Sequence, residues 1–239
     1  MRIAAVQLDP GSHGRAGVLR EAISALERAG ESEPTPDVCV LPAFIDVFGS
    51  GQSRPEQIEP LYGPTTISLS AATRELGLHA VFGLAAWDGD DLIAACILMD
   101  ADGDILSVHR QIVLPARERG VVAAGEALTV CDTMLGRIGL LMRDDLWDDR
   151  VWRQAAEADV DCILGCAARW PSAEPDPANR IAEQARQAKT WTAVSGLVTP
   201  EAVGGACIAD PKGHVAARIR ATGTQVCVAR TDVRPRQPS

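Results

Sequence analysis

Lysine is almost missing from this 239-residue chain: Lys189 and Lys212 are the only two, and every other cationic side chain apart from histidine is an arginine. Any chemistry that needs a primary amine therefore has two candidates. Positive charge is also outweighed overall, with a formal net charge of −9 and a pI near 4.9. An acidic surface attracts neither nucleic acid nor anionic membrane, so neither is expected as a partner. No apolar run reaches the ~18 residues of a membrane span, and no transmembrane helix is predicted. No CxxC pair occurs among the seven cysteines, an odd number that sits mostly in apolar runs such as Asp37-Val38-Cys39-Val40-Leu41. Cys162 and Cys166 lack the second pair, or the nearby histidines, that zinc would require. Buried reduced thiols in a cytoplasmic protein are expected instead of a disulfide framework. The first residues read as a strand and not as a signal peptide.

What is present is an ordinary globular composition, 46% hydrophobic and 23% charged, enough to bury a core. No linker or internal repeat breaks the chain, which predicts one domain over residues 1–239 with a frayed tail at 234–239. Apolar runs predict strands at 3–8, 38–41, 79–85, 92–99, 105–110, 138–142, 162–167, 192–197 and 226–233. Helical spacing predicts helices at 14–29, 66–76, 149–158 and 178–189. Gly77 is placed to end the second helix, and Asp148 or Asp149 to cap the third. Asp100-Ala101-Asp102-Gly103-Asp104 lacks the terminal glutamate and flanking helices of a calcium loop and reads as a hairpin turn. Alternating strands and helices, with hairpins between them, give an α/β layered fold.

The order of these pieces resembles the nitrilase superfamily, the carbon–nitrogen hydrolases. The segments that carry the likeness span nearly the whole chain. They are Ala4-Ala5-Val6-Gln7, Asp37-Val38-Cys39-Val40-Leu41-Pro42, Gly63-Pro64-Thr65, Val81-Phe82-Gly83-Leu84, Met99-Asp100-Ala101-Asp102-Gly103, His109 to Val130, Gly139-Leu140-Leu141-Met142-Arg143-Asp144-Asp145, Arg180-Ile181-Ala182-Glu183-Gln184 and Asp210-Pro211-Lys212-Gly213. The resemblance implies an αββα sandwich whose members pair through outer helices, so a homodimer or a hetero-oligomer with another enzyme is expected. It also implies a cysteine nucleophile, a glutamate base, a lysine that stabilises the oxyanion, and a second glutamate.

Three of those four positions are vacated here. Ala43 stands at the base position, Gln111 at the lysine position and Arg143 at the nucleophile position; Glu118 matches the second glutamate. Alanine takes no proton, glutamine carries no charge, and arginine stays protonated. A buried charge needs a partner, so Arg143 is expected to project into the old pocket and pair with Glu118, with Asp144 or Asp145 as substitutes. The competing reading has Arg143 capping the strand end at the surface.

Other residues bear on the same pocket. Cys166 reads either as a relocated nucleophile with His109 as its base or as a small buried core residue. Asp145 reads as support for the turn. Trp147, Trp152, Trp170 and Trp191 read as an aromatic binding wall, as core, or as dimer interface. Arg143, Asp144, His109, Cys166 and Trp170 are the candidate binding residues, and no metal or cofactor is predicted. The leading expectation is a degenerate hydrolase homologue that binds a small molecule or serves as a non-catalytic partner. The alternative is an enzyme acting on a polar small molecule (amide, carbamoyl or amino-acid-like) through Arg143, Glu118 and the neighbouring acids.

Overall fold

The computed structural model describes residues 1–11, 14–46, 58–168, 176–198, 205–220 and 222–234. Residues 235–239 of the expected tail, and Trp170, lie outside them. The elements in chain order are β1 (Arg2–Leu8), α1 (Arg15–Gly30), β2 (Val38–Val40), β3 (Glu59–Pro60), α2 (Pro64–Leu76), β4 (His79–Asp88), β5 (Asp91–Met99), β6 (Ile105–Arg110), β7 (Thr129–Thr133) and β8 (Gly136–Met142). A 3-10 turn, Arg143–Trp147, follows. Then come α3 (Asp149–Glu157), β9 (Cys162–Cys166), α4 (Pro177–Ala188), β10 (Trp191–Leu197), β11 (Cys207–Ala209), β12 (Val215–Arg218) and β13 (Gln225–Arg230).

The strands join in the order β6-β5-β4-β2-β1-β10-β9-β8-β7. The centre, from β4 to β8, is parallel, and antiparallel hairpins extend it at both ends. The ladder folds over, so that β4 faces β9, β5 faces β8 and β6 meets β7. Strand alternation sorts the side chains into layers. Ile3 and Ala5 of β1 join Val81, Cys96, Ile138, Leu140 and Leu164 in the core between the sheets. Ala4, Val6 and Leu8 point the other way, onto Val18, Ala22 and Leu26 of α1. On the far side Leu141, Ile163 and Val194 pack on Trp152 of α3 and Ile181 of α4. These are the four layers of an αββα sandwich. Strands buried on both faces have to be apolar throughout, which is why their sequences are unbroken runs rather than alternating ones.

The helix ends follow their local chemistry. Gly77 adopts φ 61 and donates its N–H to the Thr73 carbonyl, closing α2. The Asp148 carboxylate accepts from the Arg150 amide and caps α3. Two strands had no sequence signal. β3 has two residues, and β7 is a half-exposed edge strand, so each owes its extended form to its partner rather than to its composition. The last strand stops at Arg230, short of the expected Val233.

Candidate functional site

The carboxyl ends of the parallel strands converge on one rim, the place where open α/β sheets hold their ligands. β2 delivers Ala43 and Phe44 there, β8 delivers Arg143, and β9 delivers Cys166.

Arg143 turns the chain from β8 into the 3-10 turn with φ 51. This left-handed backbone is costly for a residue with a Cβ and persists only where its surroundings hold it. Asp145, fully buried, provides that hold. Its Oδ1 accepts from the Val113 amide at 2.8 Å and the Ile112 amide at 3.1 Å. Its Oδ2 lies 3.0 Å from His109 Nε2 and 3.4 Å from the Met142 amide. On the other side of the ring, the Thr129 amide donates to His109 Nδ1 at 3.3 Å, so Nε2 is the nitrogen that carries a hydrogen to Asp145. One carboxylate thus ties the turn to β6 and to the segment after it.

That tie brings Gln111 beside Arg143. Gln111 is buried, and its Nε2 donates to the Val113 carbonyl at 2.6 Å. This fixes the amide so that Oε1 accepts from Arg143 Nη1 at 3.2 Å. Nη1 also donates to Glu118 Oε2 at 2.8 Å, and Nη2 to Glu118 Oε1 at 2.9 Å, a fork-to-fork pair. The guanidinium carbon lies 4.5 Å from the centroid of the Phe44 ring. The Arg143 side chain is only 8% exposed and that of Glu118 20%, so the pair is largely shielded from water. The reading of Arg143 as a surface cap does not describe this geometry. Glu118, and not Asp144 or Asp145, is its bidentate partner.

The other predicted residues fall in three places. Asp144 lies half-buried at the edge of the pair. Burial pushes its carboxyl up from the ordinary range, against the pull of Arg143. His109 is buried behind the pair, with one ring nitrogen at Asp145 and the other at Thr129. Ala43 and Cys166 lie deeper, in the core between the sheets, where the Cys166 Sγ sits 3.6 Å from that of Cys96. Burial raises the Cys166 thiol well above its usual value, which works against forming a thiolate. The floor is tight: a Cβ on Gly83 would come within 2.7 Å of the Ala43 Cα and 3.0 Å of the Met142 Sδ. Trp152 is buried with its indole N–H on the Leu146 carbonyl, and Trp191 donates to Asp232. These two tryptophans are packing residues away from Arg143. Among the described residues no group of three or more His, Cys, Asp or Glu side chains is placed to hold a metal. Sequence reasoning did not foresee Phe44, which carries no charge to reveal it, or the Thr129–His109–Asp145 chain, which forms only when β6, β7 and the 3-10 turn meet.

The arrangement holds a cation in place between a carboxylate, an amide oxygen and an aromatic face. A family model described as carbon-nitrogen hydrolase matches residues 2–237. A nitrilase of Pyrococcus abyssi (strain GE5 / Orsay) is 26% identical over 219 residues, covering 84% of this chain and 79% of that protein. Nitrilase 3 of an unknown prokaryotic organism is 26% identical over 59% of this chain, and the match spans about half of that protein, 48%. Among solved structures, the amidase from Nesterenkonia sp. AN1, trapped after Michael addition of acrylamide at its active-site cysteine, superposes with a TM-score of 0.83 at 19% identity. The superposition covers 98% of this chain and 94% of that one. Nit3 of Saccharomyces cerevisiae gives 0.82 at 21% identity, over 96% and 89% of the two chains. These likenesses show the fold.

Proposed function

Because this chain belongs to the carbon-nitrogen hydrolase family, we infer that its departure lies at the reacting position: it binds rather than hydrolyses. In this reading it is a small-molecule-binding or non-catalytic partner protein, working as a homodimer or beside another enzyme. One observation carries the reading. The position that the family resemblance gives to an attacking thiol holds Arg143, already engaged by Glu118, Gln111 and Phe44. A thiol route needs a thiolate, a base and an oxyanion charge in one place. Here Ala43 cannot accept a proton, and Gln111 spends its amide on Val113 and Arg143. Losing even one member of such a catalytic unit costs orders of magnitude in rate.

A second reading, an enzyme without a thiol, rests on Asp144. Its half-buried carboxyl lies at the edge of the Arg143–Glu118 pair, and burial shifts it upward against the pull of Arg143, the direction a general acid needs. Ammonia release from aliphatic amides and nitriles separates the readings. The binding reading expects none above buffer, before or after iodoacetamide. Turnover that alkylation abolishes would overturn it in favour of Cys166; turnover that survives alkylation and is lost in Asp144→Asn would establish the second reading.

A further inference from the structure

A concavity lies behind the segment that carries Glu118. It is a groove of about 490 Å3 between residues 112–126 and the first turn of α3, within the size range of small-molecule sites. Its apolar lining includes Ile112, Leu114 and Val151. Three charged side chains border it. Arg150 is occupied, since its guanidinium grips the Asp148 carboxylate. Arg119 and Glu126 are different. Among the described residues Arg119 spends only its Nε, on the Leu114 carbonyl, and no carboxylate reaches it. Among the described residues no cation, Arg119 included, lies at ion-pair distance from Glu126.

Opposite charges that share a groove without meeting are matched by a ligand that carries both. We propose that this groove binds a free α-amino acid with an aliphatic side chain. Its carboxylate takes the open edge of the Arg119 guanidinium, its ammonium takes Glu126, and its side chain covers Ile112, Leu114 and Val151. A fork of N–H donors suits a carboxylate, and a point charge suits an ammonium. A simple anion would leave Glu126 facing it, and a simple cation would leave Arg119 facing it, so like charge disfavours both. The inference goes beyond the binding role assigned to the Arg143 site, and it stands whether or not that site hydrolyses anything. The groove shares Val113 with the Gln111 amide, so an occupant would touch the strand of chain that steadies Arg143.

The experiment is an amide-resolved NMR titration of the full chain with three probes of one shape. They are leucine, 4-methylpentanoate (no ammonium) and 3-methylbutylamine (no carboxylate). Leucine is expected to give saturable shifts at Leu114, Arg119 and Val151, and to bind about threefold to tenfold more tightly than either analogue. Arg119→Ala should bring leucine down to the level of the amine. Glu126→Gln should bring it down to the level of the acid. If Arg119→Ala does not fold, the Glu126→Gln arm decides alone. The proposal is overturned by any of three results: no saturation by leucine at these amides, equal binding of all three probes, or discrimination that survives in both variants.

Discussion

Two buried clusters, each built on an arginine and carboxylates, solve the same problem differently. At the end of β8, Arg143 meets Glu118 through two parallel hydrogen bonds, and Asp145 behind it has acceptor bonds on both oxygens. At the end of β2, Asp46 is as buried as Asp145, but only its Oδ1 is used, by the Ala85 amide at 3.2 Å. Its Oδ2 has no hydrogen-bond partner among the described residues and lies 4.0 Å from Arg15 Nη2. That nitrogen lies closer to Glu59, at 3.1 Å. Burial therefore dominates at Asp46 and pushes its carboxyl from the ordinary 3.8 to about 7, with Glu59 adding to the rise and Ala85 and Arg15 opposing it. At Asp46 partial pairing leaves burial to dominate, so the carboxyl holds its proton to higher pH.

Breaking the satisfied cluster should cost most. Asp145→Ala removes the acceptor shared by Ile112, Val113, Met142 and His109 and leaves buried donors unpaired. The expected loss is about 4 kcal/mol or more, enough to unfold a marginal protein, and urea denaturation measures it.

The unsatisfied cluster should respond in the opposite sense. Between about pH 4 and pH 7 native Asp46 keeps a proton that the unfolded chain has released. Stability from this group is therefore full below the ordinary carboxyl value and drains away as pH rises towards 7. Asp46→Asn should flatten that slope. It should leave stability at pH 4 little changed and exceed the wild type at pH 8 by on the order of 2–4 kcal/mol. Paired denaturant curves at the two pH values read the difference, and equal slopes would remove the contrast between the clusters.

Smaller effects sharpen the picture at Arg143. Glu118→Ala strands a guanidinium that is mostly, not wholly, buried, so a loss of about 2 kcal/mol is expected, short of the cost at a fully buried pair. Arg143→Met combined with Glu118→Leu should cost much less than the two single changes summed, since no charge is then left alone. Phe44→Leu keeps apolar cover and loses the ring face beneath the guanidinium. It should cost about 0.5–1 kcal/mol, visible as a small drop in Tm.

The sequence disclosed the Arg143–Glu118 pair because a long cation in an apolar run has to be neutralised somewhere, and Glu118 was the acid the family pattern placed nearby. The layers were legible for a related reason, since strands covered on both faces leave unbroken apolar runs. The partners of Asp46 left no such trace. Asp46 is a lone acid in the apolar run 41–48, but Arg15 and Glu59 sit in polar stretches, and only the meeting of α1, the turn after β2 and β3 makes neighbours of the three. The strands β3 and β7 were missed likewise, being defined by hydrogen-bonded partners and not by their own residues. His109 could be assigned to neither face of its strand without knowing where Asp145 would arrive.

The position of β1 has a further consequence. One edge of this first strand carries β2, while the other is shared by β13, along residues 2–7, and β10, at residues 7–8. Residues 2–8 cannot find their full set of neighbours until β13, more than two hundred residues further on, is in place. Pairing over such sequence separations makes assembly depend on distant partners, which slows it. A cut placed before Gln225 would leave the buried strand β1 with a bare edge along residues 2–6, open to aggregation.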